Sequence, residues 1–290
     1  MSEHPALFWD AGENGSALCG LCPRRCAVSE GAAGFCGARE NRGGSLYAAA
    51  YGQVSSLALD PIEKKPLFRF HPGKLILSAG GFGCNLRCPF CQNHGISMRT
   101  ADRAAESFTP ERLAGLARQA VPDGNIGVAY TYNEPLIGYE FLRDCAVAVR
   151  DMGLLNVVVT NGYINTAPLE ALLPLIDAMN IDLKGFSSAF YKTLGGGLDA
   201  VMETIARARK QCHVEVTTLV IPGENDSEDQ IAALAGWLAS VDREIPLHLS
   251  RFFPRHLYAD RAPTPRETIV RLCGVAAREL RYVYGGNMNS

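Results

Sequence analysis

The chain reads as an α/β protein, a partial (β/α)6 TIM-like barrel preceded by a small N-terminal cysteine-rich extension. From about His71 onward, apolar runs alternate with amphipathic stretches, the pattern of βα units feeding a parallel sheet. Six or seven such units occur without an obvious eighth, which fits an incomplete barrel with a lateral mouth better than a closed one. The polar motifs fall at the carboxyl ends of the apolar runs, where βα barrels gather the residues that handle substrate.

In chain order, residues 1–70 lack this rhythm. They are rich in Gly, Cys and Arg, with short strand-like pieces such as 46–51, and form the expected metal-binding extension; 71–290 form the barrel. Strands are predicted at 75–78, 125–131, 155–160, 178–183, 213–221, 246–250 and 282–284, with helices between them. Thr109-Pro110 supplies an N-cap and a proline for the first helical position, and Gly153 stops the helix ending near Met152. Ser227-x-x-Gln230 and Thr264-Pro265-x-Glu267 read as capping boxes opening helices over 228–240 and 265–280. No fixed-period repeat or low-complexity tract is present.

A chain of 290 residues can bury a sizeable core in one large domain or a domain with an extension. Basic and acidic residues nearly balance, 28 against 30, and no long run of like charge points to nucleic acid or an acidic membrane as partner. Ten cysteines without a charged and apolar leader sequence suit a reducing cytosol better than a disulfide framework. No apolar run approaches the roughly 18 to 20 residues of a membrane span, so a soluble cytoplasmic protein is expected.

The strongest chemical signal is Cys84-x3-Cys88-x2-Cys91, directly after the first apolar run. Three thiolates leave one corner of a cubane [4Fe-4S] cluster without a protein ligand, whereas zinc would need a fourth ligand from elsewhere. A second group, Cys19-x2-Cys22-x3-Cys26-x9-Cys36, has enough thiols for a zinc site or another iron-sulfur cluster, with free structural thiols as the alternative. Cys145, Cys212 and Cys273 stand singly and should pack in the core. Asp182 and Lys184 share one strand face, where opposite charges need each other or a ligand if that face is the barrel interior.

The cysteine loop, with Phe90 before the third cysteine, resembles the cluster motif of the radical S-adenosylmethionine (SAM) superfamily. Leu59-Asp60-Pro61-Ile62-Glu63-Lys64-Lys65-Pro66-Leu67-Phe68, Phe90-Cys91-Gln92-Asn93, Tyr130-Thr131-Tyr132-Asn133-Glu134-Pro135 and Tyr282-Val283-Tyr284-Gly285-Gly286-Asn287 resemble the AmmeMemoRadiSam-type enzymes, which are similar to pyruvate formate-lyase activating enzyme. The resemblance implies that Cys84, Cys88 and Cys91 hold a catalytic [4Fe-4S] cluster and that SAM completes its ligation. It implies that Glu134 binds the SAM amino group, although Tyr132 and Asn133 stand where the superfamily has two glycines; an acidic helix start is the alternative. It further implies polar contacts to SAM from Thr160 and Asn161, a methionine-binding role for Asp182 and Lys184, and adenine packing by the strand carrying Thr217 and Leu219. An ordinary turn, a structural ion pair and a core strand are the respective alternatives. His248 and Arg251 face either the open cluster or substrate, or are a core histidine and a surface arginine.

The function so implied is reductive cleavage of SAM to a 5'-deoxyadenosyl radical that abstracts hydrogen from a substrate, small molecule or protein, with flavodoxin or ferredoxin as electron donor. One rival is an activase that installs a glycyl radical on a partner protein; another is a non-enzymatic metal-binding adaptor. The resembled group often carries a tail with further cysteines beyond the last strand.

Overall fold

The computed structural model describes residues 4–100 and 107–288. The N-terminal part is built of short antiparallel pieces: β1 (Trp9–Ala11), β2 (Ala17–Cys19) and β3 (Ala27–Val28) form one small sheet, and β4 (Arg39–Arg42) pairs with β5 (Ser45–Ala48). Eight strands form the main sheet. They are β6 (Ser56–Pro61), β7 (Leu75–Gly80), β8 (Asn125–Thr131), β9 (Leu155–Thr160), β10 (Ala178–Asp182), β11 (His213–Val220), β12 (Leu247–Arg251) and β13 (Val283–Gly286). They neighbour one another in chain order; β7 to β13 are parallel and β6 runs antiparallel at the edge. The helices are α1 (His94–Ser97), α2 (Pro110–Gln119), α3 (Tyr139–Asp151), α4 (Thr166–Leu172), α5 (Ser188–Thr193), α6 (Leu198–Ala208), α7 (Glu228–Asp242) and α8 (Arg266–Ala276). Among the described residues no helix is long and apolar enough to cross a membrane.

All seven predicted strands occur, as β7 to β13. The strand missed is β6, which adds residues 56–61 to the main sheet on the extension's side of the expected boundary at 70/71. Thr109 caps α2 by accepting from Arg112 N, and Ser227 caps α7 by accepting from Gln230 N. The second predicted capping box does not form. Pro265 is the residue before α8, and the Thr264 hydroxyl instead donates to Val220 O at 2.6 Å and accepts from Phe252 N at 3.2 Å, pinning the loop after β12 to β11.

Side chains alternate across each strand, so His213, Glu215, Thr217 and Leu219 share the concave face of β11. The amino-terminal half of that lumen is filled by the segment 62–70, which returns beneath the sheet. Its Ile62 and Leu67 are fully buried against Ile76, Ala129, Val157 and Ala178. Each such side chain contributes roughly 1.5–3 kcal/mol of transfer free energy. Buried polar groups fasten the segment: Glu215 accepts from Phe68 N at 3.0 Å and Arg69 N at 2.7 Å, and Asn180 Nδ2 donates to Pro66 O at 2.8 Å. The lumen thus has a solid floor, and only its carboxyl-terminal half is open.

Candidate active site

β7 ends in Gly80 and runs through Gly81-Phe82-Gly83 into Cys84 at the carboxyl edge of the sheet. Asn133 holds this approach: its Oδ1 accepts from Gly81 N at 2.8 Å, and its Nδ2 donates to Phe82 O at 3.0 Å and Gly83 O at 3.2 Å. Gly83 has φ +83°, and a Cβ there would lie 2.1 Å from the Cys36 carbonyl oxygen, so the three-cysteine loop packs backbone to backbone on the extension. Arg87 strengthens that junction by donating to Cys84 O at 2.6 Å and Phe35 O at 2.6 Å.

Cys84, Cys88 and Cys91 open on a cavity of about 460 Å³, within the usual range for small-molecule sites. Its walls include Phe90, Glu134, Thr160, Asn161, Asp182, Lys184, Thr217 and Leu219, so every predicted cluster or cofactor position in the barrel lines it except His248. His248 is the second residue of β12, near the amino end of the strand, where its Nε2 meets the buried Glu215 Oε2 at 2.6 Å. It belongs to the floor, with Phe68 and Tyr284 against its ring. Arg251 is spent on Thr264 O at 2.8 Å and is not among the lining residues.

Two N–H groups point at the Cys84 sulfur, from Leu86 N at 3.3 Å and Asn161 Nδ2 at 3.6 Å, the arrangement a metal-bound thiolate favours. Burial pushes the Cys84 thiol well up and the Cys88 thiol to about 11, so these sites stay protonated until a metal's charge replaces the proton. Phe90 is buried beside Phe190, Ile221 and Phe252, which fixes the segment between the second and third cysteines. Lys184 Nζ lies 2.6 Å from Asp182 Oδ2. Burial works against the ammonium, but Asp182 and the neighbouring thiols outweigh it and hold Lys184 above the ordinary lysine range.

Glu134 is buried and committed to structure as well as to the cavity wall. Oε1 accepts from Thr160 Oγ1 at 2.7 Å and Leu136 N at 2.9 Å, and Oε2 accepts from Asn161 N at 2.8 Å, tying β8 to β9 and capping the turn Pro135–Gly138. Burial raises its carboxyl to about 7 despite these donors. Tyr132, standing where the resembled superfamily has a glycine, keeps the glycine-like backbone with φ +71°.

Several lining residues were missed: Lys64, Lys65, Asn93, Tyr132 and Asn133. Each sits in a motif that the sequence singled out, but residue type and spacing carried no role for it. Asn85 was missed altogether, although it follows Cys84 directly.

The second cysteine group also converges. Cys19, Cys22, Cys26 and Cys36 all line one small cavity of about 20 Å³, together with Arg39 and Asn85. Arg39 is buried, forms an ion pair with Glu140, and donates to Cys19 Sγ at 3.6 Å, while its Nε has no partner. A buried guanidinium beside four sulfurs suits thiolates bound to a metal. Among the described residues no three His, Cys, Asp or Glu side chains form a preformed site for a single ion. A cubane distributes its thiolates over separate irons.

Residues 80–235 match the radical SAM superfamily. An uncharacterized protein of Methanocaldococcus jannaschii, MJ0808, is 43% identical over 98% of this chain and 85% of its own. The pyruvate formate-lyase 1-activating enzyme of Escherichia coli K12 is 25% identical over 51% of this chain and 61% of its own, so only part of that relative is spanned. Among solved structures, Streptococcus suis SuiB bound to SAM shares the fold, with TM-score 0.56, 17% identity, and coverage of 71% of this chain and 48% of that one. Methylornithine synthase does so with TM-score 0.51, 14% identity, and coverage of 73% and 66%. The mostly parallel half-barrel, the three-cysteine loop over its open end and these similarities together establish that the chain belongs to the radical SAM superfamily, enzymes that use a [4Fe-4S] cluster and SAM.

Proposed function

We propose that this enzyme cleaves SAM reductively and abstracts a hydrogen atom from a bound substrate. The observation that carries this reading is the single cavity that joins Cys84, Cys88 and Cys91 to Asp182, Lys184, Thr217 and Leu219. Cys84, Cys88 and Cys91 would hold the [4Fe-4S] cluster; when bound, it supplies the electron that splits SAM into methionine and a 5'-deoxyadenosyl radical. Lys184, fixed by Asp182, binds the carboxylate of the methionine moiety, and Glu134 with Asn161 faces its amino group. Thr217 and Leu219 present a short polar and an apolar contact to the adenine. The floor formed by residues 62–70 excludes water from beneath the site, so the carbon radical meets one C–H bond rather than solvent.

The four N-terminal cysteines hold a second metal centre in the extension, and a small reducing protein of the flavodoxin or ferredoxin type delivers the electron. The partial likeness to an activating enzyme favours, as a second reading, a glycine residue of a partner protein as the hydrogen donor. Anaerobic reconstitution with iron and sulfide, followed by SAM and dithionite, tests the main reading: 5'-deoxyadenosine and methionine are expected. Iron-replete protein that leaves SAM intact would instead support a metal-binding adaptor. Electron paramagnetic resonance of candidate partners after the reaction decides the second reading.

A further inference from the structure

One side chain of the motif Leu59–Phe68 faces the cavity in an unusual state. Lys65 lines the cavity, and its side chain is 3% exposed. Among the described residues its ammonium has one hydrogen-bond partner, Asp60 Oδ2 at 2.8 Å. An ammonium carries three donors, so two are left on a group buried against the cavity. Leaving them so is costly unless something that enters the cavity accepts them.

The surroundings hold Lys65 in place. Asp60 also accepts from the Tyr132 hydroxyl at 2.7 Å and from Lys64 Nζ at 3.3 Å, and the Lys65 ammonium lies 4.7 Å from the centre of the Tyr132 ring. Tyr132 adopts its left-handed backbone here, braced by Asn93 Nδ2 on its carbonyl at 2.6 Å, and its ring packs where a Cβ on Gly80 would stand. A bulky residue in that conformation costs roughly 1–3 kcal/mol and persists where the surroundings require it. One carboxylate faces two lysines, so this corner carries net positive charge.

Of the residues assigned to SAM, Glu134 and Asn161 follow β8 and β9, and Asp182, Lys184, Thr217 and Leu219 lie on β10, on β11 and just after β10, whereas Lys65 is held through Asp60 to the edge strand β6, beside Tyr132. We propose that Lys65 anchors an oxyanion of the substrate, a carboxylate or a phosphate, on the β6–β8 side of the cavity. This rests on the proposed function for the word substrate, but anion binding there can be measured without SAM or reductant.

The test is calorimetric titration of cluster-reconstituted protein, free of SAM, with succinate and separately with inorganic phosphate at constant ionic strength. Saturable binding of at least one probe is expected, and the tighter probe identifies the oxyanion. Lys65→Gln should weaken it at least about tenfold, as for loss of a charged hydrogen bond, whereas Lys192→Gln, which removes one positive charge elsewhere, should not. If Lys65→Gln does not fold because Asp60 is left underpaired, the double variant Asp60→Asn/Lys65→Gln removes both charges and should show the same loss. The proposal is overturned if neither probe binds saturably up to roughly tens of millimolar, where a weak site fills. It is also overturned if binding survives in the Lys65 variants, the result expected of a purely structural ion pair. Because SAM cleavage is assayed separately, failure here leaves that reading standing, and the reverse also holds.

Discussion

Glu215 shows how one side chain secures the floor of the site. Burial would raise its carboxyl, but donors from His213, His248, Arg69 N and Phe68 N outweigh that and hold it down to about 2. Its folded pKa is therefore below its unfolded one, so its contribution is complete above about pH 4.5 and is lost as pH falls toward 2, a change of about 3 kcal/mol. Urea midpoints measured between pH 5 and 3 should fall for the wild type, and Glu215→Gln should start lower and show a flatter profile. Gly83→Ala tests the neighbouring junction: with φ +83° and the Cys36 carbonyl in the way, it should cost well over 1 kcal/mol. A lowered melting temperature and less iron per chain would register it. At this scale the sequence was informative where a residue's chemistry is specific, as for the three cysteines and the Asp182–Lys184 pair. His248 misled because it is only the second residue of its strand, near the amino end, and because the buried Glu215 claims its ring; no spacing rule announces a partner 33 positions away.

Among the elements, strands β7 to β13 were legible because buried parallel strands read as apolar runs bounded by turn residues. β6 was not, since its first residues are half-exposed or exposed and Pro61 closes it, the habit of an edge strand. Capping signals divided for a similar reason: a local motif forms its local bond only if tertiary partners do not compete. Among the described residues Ser227 has no competitor and caps α7, whereas Thr264 is taken by Val220 and Phe252. Ser227→Ala should therefore cost about 1 kcal/mol. Thr264→Ala should cost at least as much by freeing the loop after β12, with no loss of helix content by circular dichroism.

For the whole molecule, iron accounting separates the two cysteine groups. Replacing Cys84, Cys88 and Cys91 together by Ala should abolish 5'-deoxyadenosine formation while leaving the metal proposed for the extension. Replacing Cys19, Cys22, Cys26 and Cys36 should remove the proposed second centre, as read by metal analysis and Mössbauer spectra. Fold class and most of the cavity were legible because βα periodicity carries both. The plugging of the lumen by residues 62–70 was not, since it depends on where a loop without periodicity comes to rest.

Asn85 has a consequence at this scale. It borders the cavity of the four N-terminal sulfurs, accepts from Asn161 at 2.9 Å, and donates to Tyr163 O at 2.7 Å, while Asn161 in turn reaches the Cys84 sulfur. One amide thus serves as a hinge pin between both thiol nests. Asn85→Ala should loosen both at once and lower the iron retained by each, whereas cysteine replacements in one nest should empty that nest alone, as read by metal analysis.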